Sequence, residues 1–225
     1  MNDSPRFPEL QLDFIESRIL GSILEKQTTT PDYYPLTVKA IEAACNQSSN
    51  RFPTTKLTLE EIEEAIQRLR KKEILMQVHV SGSRVPKYEH QLGEILEMSS
   101  AENAVMTILL LRSIQTAGEI KLRTERMHPF ERVEQVEEIL QGFIEYGSGP
   151  LVRELPVGSG RRVKTYGHLL GGEPGFDSTL HHVPVTTSPV ESDEQTQSLQ
   201  ARVTILEEKL AKVLAELGMT DPDDE

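Results

Sequence analysis

The sequence predicts a mainly α-helical protein with small β-hairpins (α+β): two tandem winged-helix domains followed by a C-terminal coiled-coil helix. Three observations predict it. A twelve-residue segment recurs at a constant offset of 78, an apolar stripe at helical spacing recurs upstream of it, and an unbroken heptad seam runs from residue 199 to 217.

The repeat organises the chain. Ser81-Gly82-Ser83-Arg84-Val85-Pro86-Lys87-Tyr88-Glu89-His90-Gln91-Leu92 returns as Ser159-Gly160-Arg161-Arg162-Val163-Lys164-Thr165-Tyr166-Gly167-His168-Leu169-Leu170, identical at seven of twelve positions. The stripe Leu59, Ile62, Ile66, Leu69 returns as Val133, Val136, Leu140, Phe143 at an offset of 74. A longer turn around residues 146–150 of the second copy accommodates the difference.

Each copy opens with a capped helix. Asp13 precedes Glu16 by three residues, and Ile15, Ile19, Leu20, Ile23 and Leu24 follow at helical spacing. In the second copy Ser99 and Glu102 play these parts, ahead of Val105, Ile108 and Leu109. Second helices are expected over roughly 36–45 and 116–126, the latter capped by Thr116 with Glu119. Third helices are expected from Thr58 to about Lys72 and over roughly 131–146. Each leads into a strand–turn–strand pair: Ile74–Val80 with Val85–Leu92, and Leu151–Val157 with Val163–Leu169. Turns at 81–83 and 158–160 supply the glycines that a tight hairpin needs for positive φ. Three helices and a hairpin make a winged helix, a variant of the helix-turn-helix. Two unrelated three-helix bundles would leave the hairpins without a purpose.

The domain boundaries follow: winged-helix domains at 1–97 and 98–170, a linker at 171–195, a coiled-coil helix at 196–218 and an acidic tail at 219–225. The linker is rich in Gly, Pro, Ser and Thr with no apolar period. Beyond it Val203, Leu210 and Leu217 occupy a positions, and Leu199, Leu206 and Val213 occupy d positions. This seam predicts a homodimer through residues 196–218; the alternative is an amphipathic helix docking on its own domains.

Net charge is −12, and most of the excess is C-terminal: residues 190–225 carry three basic and ten acidic side chains. Residues 1–97 sum to −3 and residues 98–170 to zero. Neither repeat has the basic surplus of a non-specific nucleic-acid binder. The single cysteine, Cys45, cannot close an internal disulfide. The first residues lack a basic-then-apolar leader, and no run approaches the roughly 18 apolar residues of a membrane span. A cytoplasmic location is the expectation.

A winged helix reads a duplex by laying its third helix in the major groove. Here that helix begins Leu59-Glu60-Glu61-Ile62-Glu63-Glu64, and the second copy offers Glu131, Arg132, Glu134, Gln135, Glu137 and Glu138. Carboxylates facing phosphates spaced about 1.7 Å along the duplex repel them and release no counterions. Protein is therefore the expected partner. The alternative is a DNA-binding regulator that uses the wing residues Arg84, Lys87, Arg161, Arg162 and Lys164, with Lys121, Arg123 and Arg126 on the second helix of copy two. Ordinary solvated charge explains the same residues equally simply.

No cofactor or catalytic site is expected. His181-His182 lacks a second ligand pair at metal spacing, so no metal is expected either. Cys45 ends an apolar run and reads as a small packed hydrophobe. The sequence has no phosphate-cradling glycine loop and no nucleophile elbow. One loop stands out: residues 46–53 join the second and third helices of copy one where a shorter turn would serve. Asn46, Gln47, Asn50 and Arg51 are its candidate interaction residues; in the alternative they bond the loop to itself and cap helix ends.

Leu24-Glu25-Lys26-Gln27-Thr28-Thr29-Thr30-Pro31, Tyr34-Pro35-Leu36, Ala44-Cys45-Asn46-Gln47 with Asn50-Arg51, and Leu109-Leu110-Leu111-Arg112 with Gln115-Thr116-Ala117-Gly118-Glu119-Ile120 also carry a family likeness. With the terminal heptads they resemble the YceH-like family of uncharacterised bacterial proteins over nearly the whole chain. The resemblance implies a tandem winged-helix fold and brings no activity with it.

Overall fold

Most helices start where a side chain can bond back onto the first turn. In a computed structural model, which describes residues 10–155 and 163–171, α1 (Phe14–Thr29) opens at Asp13. The Asp13 carboxylate accepts from the Glu16 amide at 2.8 Å, and Glu16 accepts from the Asp13 amide at 2.9 Å. The same reciprocal box starts α3 (Leu59–Lys71) at Thr58, α5 (Ser100–Arg112) at Ser99 and α6 (Ala117–Thr124) at Thr116. Thr37 alone caps α2 (Val38–Cys45). At α7 (Val133–Ile144) the Gln135 side chain accepts from the Glu131 and Arg132 amides instead. A 3-10 turn at Pro31–Tyr33 follows α1, and a four-residue helix α4 (Leu92–Ile95) joins the copies; neither is expected from the sequence.

Each copy ends in an antiparallel hairpin. β1 (Leu75–Val78) pairs with β2 (Lys87–His90) in the register Leu75↔His90, and β3 (Val152–Leu155) pairs with β4 (Thr165–His168) in the register Val152↔His168. The strands of the first hairpin are shorter than the predicted segments. In the first hairpin the ladder stops at Val78↔Lys87, because Pro86 has no N–H to donate and the Ser83 amide turns back to the Val80 carbonyl. Gly82 takes a φ of +84° in that turn, as expected.

A third strand, unforeseen, completes each sheet with a single residue. Leu36 exchanges both backbone bonds with Tyr88, at 3.1 and 2.8 Å, and Gln115 exchanges both with Tyr166, at 3.0 and 2.8 Å. Leu36 departs from the expected second helix and pairs in the sheet, whereas Thr116 caps its helix as expected. The element order helix, bridge residue, helix, helix, hairpin is thus the same in both copies.

The core runs continuously through both copies. α1 is buried on every side from Glu16 to Glu25, and α5 from Ala104 to Leu111. The first helix packs against α2 and α3 and also against α5. Gly21 permits that approach: a Cβ there would stand 3.0 Å from Leu110 Cβ. The Leu12 amide donates to the Leu170 carbonyl at 2.7 Å, tying the start of copy one to the end of copy two. All described residues belong to one compact unit, Met1–Val183. No helix among them is long and apolar enough to cross a membrane. The predicted linker beyond Gly171, the seam Leu199, Val203, Leu206, Leu210, Val213 and Leu217, and the acidic tail lie outside the described residues.

Candidate interaction surfaces

The long loop of copy one folds inward over a buried polar network. Arg51 is only 3% exposed. Its guanidinium grips Glu25 of α1 with two bonds, Nη1 to Oε1 at 3.1 Å and Nη2 to Oε2 at 2.7 Å. It also donates to the Ala44 carbonyl, the Asn50 carbonyl and Gln47 Oε1. Asn50, held at a φ of +54°, adds a bond to Glu25 Oε1 at 2.9 Å. Asn46 clamps Leu57 from both sides, accepting from its amide at 2.7 Å and donating to its carbonyl at 2.8 Å. Lys26 donates to Gln47 Oε1 at 3.3 Å. Asn46, Gln47, Asn50 and Arg51 are therefore all engaged within the fold. Ser48, Ser49 and Phe52 are what the loop shows to solvent.

Beneath the loop lies Arg18, 1% exposed, which the sequence reading missed. It donates to the Pro53 carbonyl at 2.8 Å, to the Cys45 carbonyl at 3.3 Å and to Thr55 Oγ1, while its charge lies 5.1 Å from the Phe14 ring centroid. Burial, with help from the neighbouring Arg51 charge, pushes its pKa down to about 10. Burial alone would raise the Glu25 carboxyl, yet hydrogen bonds from Arg51 and Asn50 and the charges of Arg51 and Lys26 hold it below the usual carboxylate range. One sequence signal could have found both residues. Arg18, Ser22 and Glu25 form a second stripe on α1, beside the apolar one, at spacings of four and three. A helix covered by two neighbours buries such a stripe.

The third helices carry their carboxylates outward. Glu60, Glu63 and Glu64 are exposed on α3, as are Glu134, Glu137 and Glu138 on α7 and Glu145 at its C-terminal cap. Glu61, expected beside them, is half-buried because its carboxylate closes the Thr58 cap. The cations ending α3 are partly consumed: Arg68 pairs with Asp13 at 2.8 Å, and Lys72 pairs with the buried Glu16 at 2.6 Å. Arg70 and Lys71 remain exposed. On α6, Arg123 bonds Gln115 and Glu119, and Leu122 faces solvent.

The hairpins differ in their charge pairing. Arg84 is exposed and Lys87 half-buried, with no ion pair to either among the described residues. Lys164 instead bonds Glu154 at 3.1 Å. That bond, the Glu154 charge and, more weakly, Glu137 of α7 raise its pKa. Arg161 and Arg162 lie outside the described residues.

His90 and His168 occupy equivalent strand ends, and the Nδ1 atom of each is sealed from solvent without a partner among the described residues. Burial pushes both down to about 4, so they are neutral near pH 7. Burial likewise raises the Cys45 thiol to about 11, leaving it protonated. Among the described residues no group of three or more His, Cys, Asp or Glu side chains could hold a metal ion. His181 and His182 lie outside them.

A family model described as "Protein of unknown function, DUF480" matches residues 12–161. A UPF0502 protein of Enterobacter sp. (strain 638) is 39% identical over 216 residues, covering 92% of this chain and 98% of the relative. A UPF0502 protein of Geotalea uraniireducens (strain Rf4) is 42% identical, covering 90% of each. A third, from Saccharophagus degradans (strain 2-40 / ATCC 43961 / DSM 17024), is 34% identical and covers 93% of this chain and all of the relative.

Proposed function

The chain belongs to the DUF480 family of proteins of unknown function, the YceH-like proteins to which its sequence points, and from that premise we propose that it is a non-catalytic adaptor that binds protein through tandem winged helices. The winged-helix reading draws support from the order of elements, repeated in both copies down to the single bridge residue that makes a third strand. The adaptor reading rests on one observation above all. Both third helices, the elements that would enter a major groove, turn carboxylates outward over their exposed faces. A duplex laid there meets like charge, whereas a protein surface can be complementary to it. The reading also makes the protein a dimer through residues 196–218, on the strength of the heptad seam.

A second reading keeps DNA as the partner, bound by the wings. Arg84 and Lys87, without ion pairs among the described residues, favour it. The pairing of Lys164 with Glu154 weighs against it. Titration of a fluorescent duplex of about 20 base pairs with the full-length protein at about 150 mM salt separates the two. The adaptor reading predicts no saturable rise in anisotropy up to about 10 μM protein. A salt-sensitive micromolar isotherm would overturn it.

A further inference from the structure

Each sheet ends on a strand with a neighbour on one side only. Tyr88 spends its amide and its carbonyl on Leu36, so β2 lies between Leu36 and β1, and no strand lies beyond β1 among the described residues. Backbone groups alternate in direction along an antiparallel ladder. Because Tyr88 turns its groups to Leu36, its cross-strand partner Gln77 points its own N–H and C=O away from β2, and Leu75 does the same. No backbone bond reaches either residue from that side among the described residues. Tyr166 bonds Gln115 in the same way, which leaves β3 outermost in the second sheet.

The two outer strands are defended differently. An open strand edge is a template for another chain, and charged side chains are a common deterrent. β3 carries Arg153 and Glu154, both exposed. From Ile74 to Val80 the first copy has no Lys, Arg, Asp, Glu, Pro or Gly. Its outer face shows apolar side chains instead: Met76 is 48% exposed and Val80 37%, with Val78 half-buried between them. The unguarded edge thus belongs to one copy, although the order of elements is the same in both.

This strand is complementary to itself. Two copies of β1 set antiparallel about a two-fold axis at Gln77 place Gln77 opposite Gln77, Leu75 opposite His79 and Met76 opposite Val78. The outward N–H and C=O groups of Gln77 then bond those of the second Gln77, and Leu75 bonds the His79 backbone. On the outer face, Met76 and Val78 of the two copies close into one apolar cluster. Each row across that face reads Glu89, Met76, Val78, Lys87, the last two from the second copy. No like charges meet at the junction, which suits self-pairing in a chain of net charge −12.

We infer that β1 is a self-association edge, at which a second copy of this chain adds its own β1 to form a continuous four-stranded sheet. The pairing goes beyond the adaptor reading and rests neither on that reading's partner nor on the heptad seam.

Amide hydrogen exchange of the full-length protein, resolved by residue at about 100 μM, tests it. In the unsubstituted protein the Leu75 and Gln77 amides exchange slowly. Gln77→Lys and Gln77→Glu each set like charges about 5.5 Å apart across the axis, and exchange at residues 75 and 77 speeds up at least about tenfold. An equimolar mixture of the two variants, left to exchange subunits, brings opposite charges together and restores the slow exchange. Unchanged exchange at Met76 and Val78, whose amides face β2, shows that the hairpin is intact in each variant. Fast exchange of Leu75 and Gln77 in the unsubstituted protein would overturn the inference, since a dimer held by residues 196–218 alone leaves them fast. Slow exchange that survives both variants would overturn it too, because something other than a second β1 then covers the edge. A mixture no slower than its components would remove the two-fold register. None of these outcomes touches the adaptor reading.

Discussion

Replacing Arg51 by methionine removes five hydrogen bonds and strands the Glu25 carboxylate inside the protein. The Arg51 side chain is fully inaccessible and that of Glu25 is 9% exposed, so water replaces little of what is lost. Breaking a buried ion pair from one side costs about 3–5 kcal/mol. Glu25 keeps Asn50 at 2.9 Å and Lys26 at 3.5 Å, which places the expected loss near the lower end, about 3 kcal/mol. With an m-value of about 2 kcal/mol per M in urea, the midpoint followed by far-UV circular dichroism falls by about 1.5 M. Removing both charges, Arg51→Met with Glu25→Leu, costs less than the two single changes added together, by about 1–3 kcal/mol of coupling. A midpoint shift in Arg51→Met below about 0.5 M, the scale of a surface substitution, would refute the claim that the loop is held from within.

Three further outcomes are expected, the last from the sequence alone. Gly21→Ala destabilises the protein by about 1–3 kcal/mol, because the new methyl meets Leu110 and Leu111 at 3.0 Å, whereas Gly142→Ala on the exposed face of α7, with nothing within 4 Å, stabilises by about 0.5–1 kcal/mol; melting temperatures moving in the same direction would contradict this. His90 and His168 sit near 4 in the fold against an ordinary 6.5, so between those values the unfolded chain takes up protons that the folded chain refuses. Stability therefore falls as pH drops through that window, by up to about 1.4 kcal/mol per pH unit for each histidine and less where solvent reaches the ring. Urea midpoints from pH 7 to 5 measure this, and the His90→Gln/His168→Gln variant should show a shallower slope. Deleting residues 196–225 converts a dimer to a monomer by light scattering; a monomeric full-length protein would refute the heptad reading.

Much of the fold was legible because its signals are local. Ser, Thr or Asp three residues before Glu marks four of the helix starts, and each such pair forms the expected reciprocal bonds. The repeat carried the hairpins, since the identities at Tyr88 and Tyr166 or Leu92 and Leu170 answer to buried positions. What the sequence concealed is set by tertiary contacts. Helical periodicity announces one apolar face, but α1 is covered on both sides, so Arg18 and Glu25 are buried where a single-faced reading leaves them in water. The single-residue strands at Leu36 and Gln115 are too short to leave a period. The loop stands out in the sequence for its length and polarity, yet those same polar side chains are what allow it to cover Arg18 and Glu25. Length alone does not separate a binding loop from a lid on a polar core.

The outward carboxylates of the third helices can be counted directly by carbodiimide labelling of the native protein with glycine ethyl ester, read by peptide mass spectrometry. Glu60, Glu63, Glu64, Glu134, Glu137 and Glu138 should label rapidly, at rates near those of the unfolded chain, while Glu16 and Glu25 stay protected. Third-helix glutamates as slow to react as Glu25 would mean that those faces are covered, and the case against groove binding would go with them.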